Sequence, residues 1–206
     1  MDDAHKVAKR LGLTSKSEAR ERRPALEELN KLMLHFGEIR RRRPSSLPMQ
    51  MIVAFAIFST RRQDEITRIE WADLDEKRSR IMVRDMKNPG EKKGNDVRCD
   101  LPPPALRLIQ AMPKTGARIF PYSTDAISAA FTRACAFLEI DDLHFHDLRH
   151  EGVSRLFEMG GTIASVAAVS GHRSWQSLKR YTHLDKAGDK YAAWPWLEAL
   201  TRLRTH

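Results

Sequence analysis

Apolar residues recur at steps of three and four through Leu26, Leu29, Leu32, Met33 and Phe36, which is the period of one helix face. The pattern predicts an amphipathic helix that opens at Pro24 and stops at Gly37. The basic run Arg40–Arg43, closed by Pro44, reads as a solvated loop, with contact to a DNA backbone as its alternative use. Leu47–Ser59 is apolar almost throughout and lacks glycine, as expected of a helix buried on all sides. The period then changes. Arg80–Arg84 and Val97–Leu101 alternate on either side of the turn-rich stretch MKNPGEKKGND, predicting a small antiparallel sheet with a hairpin. Helical spacing returns over Pro102–Met112 and over Ser123–Leu138, where Ile127, Ala130, Phe131 and Ala134 share a face. It returns again after His146, where Leu148, Val153, Leu156 and Phe157 form the apolar side. The expected fold class is mainly α with a small antiparallel β-sheet (α+β).

Three regions follow from this pattern. Residues 1–23 are polar and basic and read as a linker or domain edge, residues 24–183 as one domain, and residues 184–206 as a tail helix. Trp194, Trp196, Leu197 and Leu200 load that tail with apolar surface that something must cover, either its own domain or a neighbouring protomer.

Charge narrows the partner. A net charge of +9 on 206 residues favours a polyanion, and nucleic acid is the first candidate because the basic residues are dispersed and do not line one amphipathic helix. With 41% hydrophobic residues the chain differs from basic packing proteins. Cys99 and Cys135 have no metal-like spacing and fit a reducing compartment. The longest apolar run, Met49–Phe58, is too short to span a bilayer, and the charged N-terminus has no apolar signal region, so a cytoplasmic protein is expected.

The densest chemistry lies between His146 and Tyr181. His146 and Arg149 stand three apart and share a helix face, a Gly171-His172 turn follows, and Tyr181 comes nine residues after His172. Attack on a phosphodiester concentrates negative charge on the non-bridging oxygens, and a guanidinium fork meets that charge with two parallel donors. A tyrosine needs neighbouring cations or a base, since its ordinary pKa is about 10. Taken alone, Tyr181 reads as a core-edge tyrosine and Arg149 as a solvated arginine; their joint spacing points to phosphate chemistry. Phosphate-cradling, dinucleotide, zinc-protease and serine-hydrolase motifs are missing from the sequence, and His144, His146 and His150 lack the ligands that would complete a metal site. No cofactor and no required metal are expected.

H-x-L-R-H at His146–His150, then Gly171-His172, then Y-T-H at Tyr181–His183 resemble the C-terminal half of the tyrosine recombinase (phage integrase) catalytic domain. The resemblance continues upstream, where a small-residue turn precedes Arg62, Glu65 and Ile66, and Trp71 with Asp73 ends the motif. Arg61 is the rival for the first arginine, and the spacing to Glu65 selects Arg62. The family's lysine sits on the hairpin, where Lys87 matches and Lys92 and Lys93 compete. This likeness implies site-specific cleavage and rejoining of double-stranded DNA through a 3′-phosphotyrosyl bond. In that scheme Tyr181 is the nucleophile, Arg62 and Arg149 clamp the phosphate, and Lys87 protonates the leaving oxygen. His146 assists proton transfer at the tyrosine, His172 donates to the phosphate and Glu65 orients the arginines. Tyr191 lacks the upstream Gly-His and is the lesser candidate. A homo-oligomer on DNA, assembled through the tail, is also implied. Family members carry an N-terminal DNA-clamping domain, for which residues before Pro24 leave no room, so a fragment or a short form with weak site selection is expected. The alternatives are type IB topoisomerase-like relaxation and a non-enzymatic regulator. In the latter, Thr162–Thr182 would be a helix-turn-helix with Gly171 in the turn and Lys179-Arg180 on its second helix.

Overall fold

The structure is a computed structural model that describes residues 20–86 and 94–202. Helix α1 (Leu26–Arg42) buries Leu29, Leu32, Met33 and Phe36, the stripe that the spacing predicts. It does not stop at Gly37. Glu38 pairs with Arg41 at 2.8 Å and Arg42 at 2.6 Å, and Arg40, Arg41 and Arg42 lie in the last turn, where the helix dipole favours cations. The basic run expected as a loop is therefore the end of a helix.

Helix α2 (Met49–Ser59) is the post around which the other elements pack, with residues 52–59 all buried. It ends at Thr60, a β-branched residue at φ 58°, where a left-handed backbone is strained. A one-turn helix α3 (Gln63–Ile66) and a 3-10 turn (Trp71–Asp73) lead into the sheet. Strands β1 (Leu74–Asp75), β2 (Arg80–Val83) and β3 (Val97–Asp100) pair antiparallel in that order, with Ile81 opposite Cys99 and Val83 opposite Val97. Two of the three match the alternating patterns; β1 is only two residues long, too short for alternation to reveal.

Helices α4 (Pro103–Gln110) and α5 (Thr124–Phe137) complete the wall around α2, and the Ser123 hydroxyl caps α5 by accepting from the Ala126 N–H. Helix α6 (Asp147–Glu158) lies directly on α2. Gly152 permits this, because a Cβ there would sit 2.1 Å from the Ile57 carbonyl oxygen. Helix α7 (Ile163–Ser170) is capped by Thr162 and ends at Gly171 with φ 72°. Two 3-10 turns follow, Trp175–Ser177 and Lys179–Tyr181, so the second helix that a helix-turn-helix reading requires is not formed there.

Among the described residues the tail is helical only in α8 (Pro195–Thr201), not over the whole segment from residue 184. Its apolar load is covered in cis. Tyr191, Trp194 and Leu197 are buried, Tyr191 and Trp194 pack on Phe58, and the Trp194 and Trp196 indoles both donate to the Asn30 side-chain oxygen. Ion pairs hold the approach to α8: Arg155 grips Asp189 at 2.5 Å, and the buried Glu151 carboxylate takes Arg23, Lys190 and the Tyr191 hydroxyl.

Candidate active site

The three-residue spacing of Arg62 and Glu65 has a local cause. Glu65 is the third residue of α3, and its carboxylate reaches back to accept the Arg62 N–H at 3.0 Å, satisfying a donor that the helix leaves free. The same carboxylate holds the Arg62 side chain at 2.7 Å and lies 3.7 Å from Arg61 and 3.8 Å from Arg149. Glu65 is fully buried; burial alone would raise its pKa, but Arg61, Arg149 and Arg62 together hold it down to about 2. One ionised carboxylate against three guanidiniums leaves surplus positive charge in a low-dielectric pocket.

The close approach of α6 to α2 at Gly152 carries Arg149 onto the C-terminal end of α2. Buried there, Arg149 donates to the Thr60 carbonyl and, at 3.1 Å, to the Ser170 carbonyl. Burial pushes its guanidinium below the ordinary arginine range, and Glu65 opposes that shift. Its Nη2 also sits 3.3 Å from His172 Nε2. His172 follows the glycine turn, and its Nδ1 lies 2.6 Å from the Ser170 hydroxyl, which is also 2.7 Å from the Val166 carbonyl. Burial first, then the Arg149 charge, lower His172 to about 3, so its ring is neutral. Gly171 is required in this turn twice over, by its positive φ and because a Cβ would stand 2.6 Å from the Met86 sulfur.

Tyr181 belongs to a small second core with Val153, Phe157, Val166 and Leu178. Its ring stacks on Phe157 and its hydroxyl lies 2.6 Å from His150 Nδ1. Burial raises the phenol pKa, against the opposing charges of Arg180 and Arg149. Burial, His146 and Arg180 lower His150 to about 4, so its neutral ring can accept the phenolic proton. His146 contacts His150 edge-on, with ring centroids 4.9 Å apart. Residues 20–23 cross the outer side of this cluster: Arg20 grips the buried Asp147 at 2.8 Å, and Arg180 donates to the Arg20 carbonyl at 2.7 Å.

The structure thus gathers Arg62, Glu65, Arg149 and His172 around one point, while His146 and Tyr181 meet at His150, the residue after Arg149. Lys87, like Lys92 and Lys93, lies outside the described residues. Tyr191 is buried as a donor to Glu151, which with burial raises its pKa far above the ordinary phenol range. His146, expected to assist proton transfer at the tyrosine, stands one ring away from it, and the hydrogen bond to the phenol is made by His150. The helical step offered a signal, since 146, 150, 153 and 157 fall on one face. Arg61, expected only as a rival to Arg62, is buried, whereas Arg62 keeps 25% of its side chain exposed. Among the described residues no group of three His, Cys, Asp or Glu is arranged to hold a metal, and no helix is long and apolar enough to cross a membrane.

Fixed guanidiniums and a neutral imidazole beside a phenol make a site suited to an esterified phosphate, placed on a mainly helical domain with a three-stranded sheet. Residues 25–187 match the Phage integrase family, and the chain belongs to that family. It is 35% identical over 170 residues to a shufflon-specific DNA recombinase of Escherichia coli, covering 82% of this chain and 41% of that protein. It is 24% identical over 156 residues to the integrase of Salmonella phage P22, covering 66% of this chain and 39% of the phage protein. The chain therefore spans about two fifths of the length of these relatives. Among solved structures it resembles XerA recombinase, with a TM-score of 0.57 and 20% identity over 90% of this chain and 70% of that one. A lambda integrase dimer bound to a core site gives a TM-score of 0.61 at 20% identity, over 90% of this chain and 57% of that one. Both likenesses support the fold.

Proposed function

We propose that this chain is the catalytic domain of a tyrosine-type site-specific DNA recombinase, cutting and rejoining double-stranded DNA through a 3′-phosphotyrosyl intermediate. The observation that carries this reading is the meeting of Arg62 and Arg149 on Glu65, with His172 against Arg149 and the Tyr181 hydroxyl bonded to His150 one residue beyond Arg149.

The steps balance as two transesterifications. The Tyr181 oxygen attacks phosphorus while its proton passes to neutral His150. The bond from phosphorus to the 5′ oxygen breaks, and that oxygen takes a proton, which the family resemblance assigns to Lys87. Arg62 and Arg149 meet the charge that grows on the non-bridging oxygens. His172, being neutral, has one proton to give. It donates from Nε2 once the Ser170 hydroxyl turns from the Val166 carbonyl to Nδ1. His146 backs His150 in the relay. A 5′ hydroxyl from a partner strand then attacks the phosphotyrosine, returning the proton to Tyr181, so the bond energy is conserved and no nucleotide cofactor enters.

The net charge of +9 supports DNA as the partner, with affinity falling steeply in salt. Joining two sites requires two or more protomers, hence a homo-oligomer on DNA. Assembly through the tail would exchange the cis contacts of Asp189, Tyr191 and Trp194 for a neighbour's. The reaction belongs in the cytoplasm, where bacterial and phage DNA is found.

Incubation with a nicked duplex that loses the cleaved strand's 5′ end, followed by a denaturing gel, tests the reading. A covalent protein–DNA adduct attached at a 3′ end is expected; DNA binding without any adduct over a range of duplexes would defeat it.

A further inference from the structure

Arg61 is a buried cation that the chemistry above does not use. Its side chain is 1% exposed, so it cannot reach a phosphate entering from solvent. Burying a guanidinium costs several kcal/mol unless partners compensate, and the partners of Arg61 lie on the elements that carry the site and on Glu65 itself. Nη2 donates to the Val169 carbonyl at 2.5 Å, Nη1 lies 3.0 Å from the Cys99 sulfur and 3.7 Å from Glu65, and Nε donates to the Ser59 carbonyl at 3.2 Å. Val169 and Ser170 offer successive carbonyls at the end of α7, where a helix leaves acceptors unpaired and its dipole is negative. Arg61 takes the first and Arg149 the second. The two residues after that double cap are Gly171 and His172, and the turn is wedged against Cys99 and Met86. Arg61 also shares Glu65 with Arg62 and Arg149, so it sets how tightly that carboxylate holds the other two.

We propose that Arg61 is a positioning residue for phosphoryl transfer: it ties the end of α7 to β3 and α2, and so holds His172 and the Glu65-bound arginines in the geometry that receives the phosphate. It never touches DNA. This inference rests on the cleavage reading above and adds a residue to it.

The test is single-turnover cleavage of the nicked duplex by the wild type, Arg61→Met, Arg61→Lys, His172→Ala and the double variant Arg61→Met/His172→Ala. DNA affinity and urea midpoints are measured in parallel. DNA affinity should stay within about threefold for both Arg61 variants, while the cleavage rate falls about 100-fold for Arg61→Met and about 10-fold for Arg61→Lys, in line with the loss of one preorganised donor. Lysine keeps the charge but cannot bridge Val169, Cys99 and Ser59 together. Because part of the Arg61 effect runs through His172, the penalty of Arg61→Met should shrink at least fivefold in the His172→Ala background. A purely structural role would lower the urea midpoint and leave that penalty unchanged. If Arg61→Met does not fold, Arg61→Lys carries the same comparison in both backgrounds. Wild-type cleavage rates in the Arg61 variants, or equal penalties in the two backgrounds, overturn the inference. Absence of an adduct with the wild type would instead overturn the cleavage reading itself.

Discussion

Two halves of the site are built on opposite principles. The arginine cluster lies at the meeting of α2, α3, α6 and α7, and Arg61, Glu65 and Arg149 are each almost fully buried and bonded to backbone or to one another. The tyrosine half hangs on two 3-10 turns and a small apolar cluster, and among the described residues the Tyr181 hydroxyl bonds to His150. Preorganised donors aid a transition state only if they do not relax, so the cluster that meets charge is set into the core. A nucleophile that must leave a histidine and form a bond to phosphorus needs a support with fewer contacts to release.

The contrast can be broken at single atoms. Tyr181→Phe removes one oxygen and leaves the stack on Phe157, so adduct formation should vanish while DNA affinity, measured by titration, stays within about twofold. Arg149→Ala should slow cleavage about 10²- to 10³-fold, the range for losing one transition-state donor. It should also lower the urea midpoint, because Glu65 and two carbonyls lose a partner.

His150→Ala tests the tyrosine half alone. A positioned base contributes about 10²-fold or more, so single-turnover cleavage should fall by about that factor with the urea midpoint little changed. The pH dependence has a definite sign. The folded pKa of His150, about 4, and of His172, about 3, lie below the ordinary value of 6.5. Their neutral rings therefore stabilise the fold fully above pH 6.5, and that contribution is lost as pH falls through 4 and then 3. Urea midpoints of the wild type should drop over this window, and His150→Ala should flatten the upper part of it.

Gly152→Ala probes what seats the arginine half. Its Cβ would meet the Ile57 carbonyl oxygen at 2.1 Å, so α6 must lift from α2, at a cost of about 3 kcal/mol by urea unfolding. The smallest effect is expected at the tail, where Tyr191→Phe removes one hydrogen bond to Glu151 but leaves that carboxylate paired with Arg23 and Lys190. About 1.5 kcal/mol of stability should be lost, with cleavage unchanged.

The helix stripes of α1 and α5, the all-apolar α2 and two of the three strands were legible because burial imposes a period on the sequence, as at Leu29, Leu32 and Phe36. The continuation of α1 past Gly37 was not, since Glu38 and the terminal dipole outweigh one glycine's propensity. The residue types around the proposed phosphate site were also legible, because Arg62 with Glu65 and His146 with Arg149 are spaced by a single helical turn. The tertiary structure alone decided which of two adjacent arginines is buried, which histidine touches the phenol, and which residues the tail aromatics pack on. Each of these depends on how α6 and α7 lie against α2 and β3, and contacts between elements distant in the chain leave no period along it.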